Sequence, residues 1–182
     1  MKSFFSHCYY HKFKAPNASE IIDEVTNDNP RPITYPWSDV CSVETFDLNS
    51  NKYARLLEPN INIFVNEVVK QRIEISVTNI WMNAYSQYAY QEIHDHCDQD
   101  FVCVFIMNTG PDFGQLYFVD RDYAIITERW KRVMGMGDRL IPSVEQGDIL
   151  FFPGHLLHGV STHKSNTIRK TISGNFRFNV PL

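Results

Sequence analysis

No apolar run in this sequence approaches the ~20 residues that an α-helix needs to cross a bilayer, which excludes a helical membrane protein. Basic residues are not in excess either: 17 Lys and Arg stand against 21 Asp and Glu, for a formal charge of −4. That balance argues against a protein that grips nucleic acid through its phosphates. Cysteine is sparse, and Cys8, Cys41, Cys97 and Cys103 form no CxxC pair. Neither a zinc finger nor a disulfide scaffold is expected, and four reduced thiols in a cytoplasmic protein are. Phe4 and Phe5 are followed at once by His7, Tyr9, Tyr10 and His11, too broken a stretch for the core of a signal peptide.

What is present is enough apolar material for one domain. Hydrophobic residues make up 43% of 182 and charged residues only 21%, well away from the composition of disorder. Residues 1–71 read as helical and irregular. Asn17-Ala18-Ser19-Glu20 has capping-box spacing before Ile21, Ile22 and Val25, and Asn29-Pro30-Arg31-Pro32 stops that helix. A second helical region carries Tyr53, Leu56 and Leu57 and restarts at Pro59 with Phe64, Val65, Val68 and Val69. From Arg72 onward the period changes to two, with Ile73, Ile75 and Val77 alternating with polar residues. Further strands are expected at 101–107, 115–119, 148–152 and 170–178, with an insertion or lid near 121–139. The pattern predicts an α+β, mainly β protein whose body is a sandwich or open barrel.

Two windows carry the chemistry. In Ile93-His94-Asp95-His96-Cys97-Asp98, strand alternation puts His94 and His96 on one face, well placed to hold a first-row transition metal. The shifted register His96-Cys97-Asp98 makes Asp98 an alternative ligand. In the second window, the turn at Gly147 and an apolar strand deliver His158 at the strand's end, 62 residues after His96, with Val160 continuing beyond it. His7, His11 and His163 lack such context and read as structural, and His155 as a supporting or surface residue. Eleven residues beyond His158, Arg169 shares a strand face with Thr171 and Ser173. Arg169 either snorkels to solvent or points into the barrel, where a guanidinium needs an anion. A dicarboxylate held by metal at one end and by Arg169 at the other would supply it.

Over roughly residues 72–178 these features resemble the iron(II)- and 2-oxoglutarate-dependent oxygenases, in particular small prolyl-hydroxylase-like members of bacterial and phage type. Tyr90-Gln91-Glu92-Ile93-His94 is similar to the approach to the first metal ligand. Gly114-Gln115-Leu116-Tyr117-Phe118 is similar to a Gly-x-x-x-Phe strand, and Gly147 to Pro153 to the strand before the last ligand. Asn83-Ala84-Tyr85 has the Asn-x-Tyr spacing that the alkylation-repair branch uses toward 2-oxoglutarate. The resemblance implies a double-stranded β-helix (jelly-roll) core with N-terminal helices packed on it. It implies Fe(II) on His94, His96 and His158, with 2-oxoglutarate held by Arg169, Thr171, Asn83 and Tyr85. It also implies O2-dependent hydroxylation of a C–H bond in a peptidyl or amino-acid substrate, releasing succinate and CO2. Two positions depart from the family: His96 stands where Asp or Glu is usual, and Phe105-Ile106-Met107-Asn108 lacks a tyrosine found in prolyl hydroxylases.

Two other readings compete. His94-x-His96 followed by Asp100, with Gly147 to Pro153 and then His158, approximates the cupin metal motifs, whose chemistry needs no 2-oxoglutarate and gives Arg169 no role. An inert jelly-roll binding module would use the 13 Phe, 9 Tyr and 3 Trp as an interaction surface, although aromatics in a small barrel are mostly core.

Overall fold

Strands buried on both faces organise the chain, which a computed structural model describes over residues 8–34, 42–69 and 73–179. His7, Cys41 and Arg72 lie outside those residues. In chain order the elements are β1 (His11–Lys14), α1 (Ala18–Asn27), β2 (Arg31–Ile33), β3 (Glu44–Leu48), α2 (Ser50–Val68), β4 (Glu74–Tyr85), β5 (Gln91–His94) and β6 (Phe101–Ile106). After these come β7 (Leu116–Val119), a 3-10 turn at Tyr123–Ile125, α3 (Glu128–Met134), β8 (Arg139–Leu140), β9 (Asp148–Pro153), β10 (His158–Val160) and β11 (Arg169–Asn179). One antiparallel sheet runs β1-β9-β6-β11-β4-β3-β2, and a second runs β5-β10-β7-β8. Together they form a jelly roll.

The large sheet separates two apolar clusters. On its outer face Phe101, Phe105, Phe151, Ile172 and Phe176 pack with Ile21 and Val25 of α1 and Leu57, Ile61 and Phe64 of α2. The Phe64 and Phe151 rings stack at 4.8 Å. On its inner face Val102, Val104, Ile106, Leu150 and Phe152 meet Leu116 and Phe118 of the second sheet. Every residue of β6 and β9 is therefore buried, and both read as continuous apolar runs rather than alternating ones.

The N-terminal part differs from its sequence reading in three ways. It contributes β1, β2 and β3 to the large sheet, strands of three to five residues, too short for a secure period-two signal. Lys12 and Lys14 of β1 reach the carboxylate of Asp148 at 3.4 and 3.3 Å, holding this edge to β9. Asn17 makes no side-chain cap on α1. Its amide instead donates to Leu56 O at 2.8 Å and accepts from Asn60 Nδ2 at 2.9 Å, tying α1 to α2. Pro59 does not restart a helix; α2 runs through it, the buried face outweighing the hydrogen bond that proline cannot donate. Among the described residues no helix is long and apolar enough to cross a membrane.

One glycine matters to the site. Gly154, in the turn after β9, accepts from His96 N at 2.8 Å and donates to Asp100 O at 3.1 Å. A Cβ there would lie 2.1 Å from Gln99 O, so only glycine lets the 95–100 turn seat against the end of β9. Gly154→Ala is expected to cost about 1–3 kcal/mol through overpacking. Urea unfolding checks it as a lower midpoint at unchanged slope.

Candidate metal centre

His94 closes β5 and His158 opens β10, and the two are direct antiparallel partners. His96 lies just beyond β5, outside any strand, so its place comes from the Gly154 contact rather than from strand alternation. His158 likewise begins a strand of the second sheet, after a turn; it does not end the apolar strand that precedes it. The three rings nevertheless converge. Their centroids are 4.3 Å apart for His94–His158, 5.1 Å for His96–His158 and 5.3 Å for His94–His96. One ligating nitrogen from each lies within 4.8 Å of the others.

Each Nδ1 is occupied. In His94 it bonds Glu92 O at 2.7 Å and in His158 Leu156 O at 2.8 Å. A carbonyl only accepts, so both rings carry their proton on Nδ1 and present an Nε2 lone pair. His96 Nδ1 bonds Asn175 Oδ1 at 2.7 Å, with the same consequence. Burial depresses the basicity of all three. His96 is pushed down to about 4 by burial and then by His94. His158 falls well below the usual imidazole range by burial and then by both neighbours, and His94 is lowered by burial. All three are neutral near pH 7, the form that binds a cation without first losing a proton.

The alternative ligand Asp98 does not join this cluster. It sits in a turn, its carboxylate pairs with Arg177, and its side chain is 76% exposed. Asp100, the acidic member of the cupin-like pattern, accepts from Phe178 N at 2.7 Å. His163 is fully buried, taking Gly114 N on Nδ1 at 3.1 Å and bonding Thr167 O through Nε2 at 2.7 Å; its role is structural.

Arg169 and Thr171 of β11 stand in register with Tyr85 and Asn83 of β4. Arg169 is 4% exposed, its guanidinium carbon 4.7 Å from the centre of the Tyr85 ring. Its Nη1 is buried without a hydrogen-bond partner. Burial lowers its pKa, yet a guanidinium stays charged in a protein. Tyr85 Oη donates to Gln91 Oε1 at 2.7 Å, and Asn83 Oδ1 accepts from Thr45 Oγ1 at 3.1 Å. Thr45, Asn83 and Thr171 are all buried.

Two residues here carried no role in the sequence reading. Asn175 lies on the strand face of Arg169, Thr171 and Ser173, and that periodicity is a signal that would have found it. Trp81 stacks on His96 at 5.9 Å and reads in sequence as one more apolar strand residue. Replacing Asn175 with Leu, which cannot accept from Nδ1, is expected to weaken Co(II) binding about 10–100-fold. Competition titration against a chromophoric chelator measures the loss, and Asn175→Asp should restore most of it.

Residues 79–175, just over half of the chain, match the family model described as 2OG-Fe(II) oxygenase. Among solved structures, the chain is similar to a 2OG-Fe(II) oxygenase family oxidoreductase from Burkholderia pseudomallei (12% identity, TM-score 0.68, covering 92% of this chain and 84% of that one). It is also similar to HygX from Streptomyces hygroscopicus with nickel and 2-oxoglutarate bound (13%, 0.65, 94% and 83%). A third likeness is to a prolyl-4-hydroxylase from Pseudomonas putida (14%, 0.61, 93% and 93%). At these identities the structural likeness establishes the fold alone. No curated protein matches the chain by sequence. A jelly roll enclosing a three-imidazole cluster, matched by the family's model across the strands that build it, places this chain in the 2OG-Fe(II) oxygenase family, as an oxygenase dependent on 2-oxoglutarate, Fe(II) and O2.

Proposed function

We propose that this oxygenase hydroxylates a C–H bond of an amino-acid or peptidyl substrate, with Fe(II) on His94, His96 and His158 and 2-oxoglutarate between that centre and Arg169. The observation that carries the site assignment is the buried Nη1 of Arg169, unpartnered in an interior that also holds three neutral imidazoles. An unpaired buried cation is costly, and a carboxylate is the planar anion that a guanidinium fork fits. The donor set fits the metal as well, since three borderline nitrogen ligands suit Fe(II) and leave positions for other ligands. The cupin reading gives that guanidinium no anionic partner, and an inert module would leave its buried Nη1 without one.

When bound, Fe(II) and 2-oxoglutarate supply O2 activation coupled to oxidative decarboxylation, yielding succinate and CO2. The protein's part is positional. Arg169 takes the far carboxylate, steadied by the Tyr85 ring, and Thr171 adds a hydroxyl donor on the same strand face. Asn83 fixes Thr45 beneath them. The apolar inner face from Val102 to Ile106, with Leu150 and Phe152, keeps water from the reacting groups. The amino-acid or peptidyl substrate rests on the prolyl-hydroxylase-like features of the sequence and on the likeness to the prolyl-4-hydroxylase fold. Succinate release across a panel of free amino acids and short proline-containing peptides tests it, and no stimulation above the substrate-free rate sinks that substrate class.

Arg169→Ala is expected to raise the 2-oxoglutarate concentration at half-saturation about 10–150-fold, the equivalent of ~1.5–3 kcal/mol for a charged hydrogen bond. Anaerobic titration of the Fe(II)-loaded protein, followed through its visible metal-to-ligand absorption, measures it. Iron affinity without 2-oxoglutarate should hardly change. An unaltered 2-oxoglutarate requirement in the variant removes the assignment of Arg169.

A further inference from the structure

One ion pair, Arg121 with Asp95, joins the two segments that carry the three imidazoles. Asp95 lies between His94 and His96. Its Oδ1 accepts from Cys97 N at 3.1 Å and from Cys97 Sγ at 2.9 Å, closing an Asx turn around His96. Its Oδ2 takes Arg121 Nη2. One carboxylate oxygen therefore holds the turn, and the other is held from outside it.

Arg121 reaches Asp95 from a base that is itself tied to His158. It stands just beyond β7, whose Phe118 is the register partner of His158. Val119 N donates to Leu157 O at 2.8 Å and Asp120 N to Asp138 O at 3.1 Å. Asp122 N then donates to Asp120 Oδ1 at 2.9 Å, so a second Asx turn encloses Arg121 as the first encloses His96. His94 and His158 are paired directly by their strands, whereas His96 lies outside any strand. A continuous path nevertheless runs from His158 through β7, one guanidinium and one carboxylate to the His96 turn. The Arg121 side chain is 52% exposed, and an exposed pair contributes little to global stability. Its consequence is local.

We infer that Arg121 is a positioning residue for the metal centre: through Asp95 it holds the His96 turn in place relative to His158. The inference rests on the proposed assignment of the three histidines as ligands. It concerns geometry, and here geometry and charge predict opposite signs. Arg121 brings a positive charge to the residue between two of the ligands, so by charge alone its removal would tighten the binding of a divalent cation. By position, its removal frees the turn that carries one ligand of three and weakens that binding.

Two measurements on the full chain separate these effects. In the metal-free protein, amide hydrogen exchange followed by NMR reads the seat of the turn at Cys97 N and at His96 N, which donates to Gly154 O. Arg121→Ala is expected to speed exchange at both by about 5-fold or more, with the amides of β6 and β9 and the urea midpoint unchanged. Competition titration with Co(II) reads the centre itself. Arg121→Ala is expected to bind Co(II) about 3–10-fold more weakly, less than the ~10–100-fold loss for a group that touches the imidazole, and to shift the visible Co(II) bands. Arg121→Lys, which keeps the charge but not the fork, should fall between. Equal or tighter Co(II) binding by Arg121→Ala overturns the inference. So do unaltered exchange at His96 and Cys97, or a fall in the urea midpoint that matches the lost binding. His158→Ala is the control for the underlying assignment: undiminished Co(II) binding there counts against the metal centre, while the exchange rates still decide whether Arg121 holds the turn.

Discussion

An imidazole has one lone pair to give a metal, and the hydrogen bond at its other nitrogen decides which atom carries it. In this chain all three decisions are made by the fold. Glu92 O and Leu156 O are backbone atoms two residues before the rings they hold, so forming β5 and β10 in register sets His94 and His158 together. His96 has no such local device. Its Nδ1 depends on Asn175, 79 residues away, and its backbone on Gly154. The third imidazole is thus a tertiary product, assembled only when β11, the end of β9 and the 95–100 turn come together.

Strand β11 links the apolar core to the polar interior. On one face Ile172 and Phe176 pack toward the helices. On the other, Asn175 orients His96 and Arg169 presents a guanidinium. The strand is paired along its length to β4 on one side and, from Thr171 to Phe176, to β6 on the other. Burying both neighbours holds these polar groups at fixed positions, and rigid strands position such groups better than loops do. Apolar packing between α2 and the sheet is therefore also what keeps a cation buried beside Tyr85.

Much of this was legible in sequence because it repeats locally. The alternation after residue 73, the apolar runs of β6 and β9, and the period-two face of Arg169 and Thr171 all correspond to strands in the structure, and the histidines of both windows meet. What was not legible depends on contacts between distant residues. β1 to β3 are short and take their strand form from pairing, not from alternation, and β5 stops at His94 where the sequence continues the strand through His96. Asn17 looks like a cap and is a tertiary strut. Asp98 satisfied a spacing rule that presumes a strand, but the chain turns after His94 and sends that carboxylate to Arg177. The 121–139 stretch showed no period because it holds a 3-10 turn, one short helix and a two-residue strand.

The replacement of a carboxylate by His96 changes the charge of the interior in a way that ties the two ends together. Two imidazoles and a carboxylate around a divalent ion leave one positive charge; three imidazoles leave two. With Arg169 the proposed site then carries three positive charges in a medium that screens them poorly. A dianion such as 2-oxoglutarate removes two of them, and Asp95, the acid between His94 and His96, already balances Arg121. Metal and dicarboxylate should therefore stabilise each other's binding more in this protein than in a relative with the acidic ligand, and by linkage each raises the other's affinity by the same factor. On the proposed assignment, the three-histidine set would ask more of its anionic cosubstrate, and the buried, unpartnered Nη1 of Arg169 is the donor that would meet it.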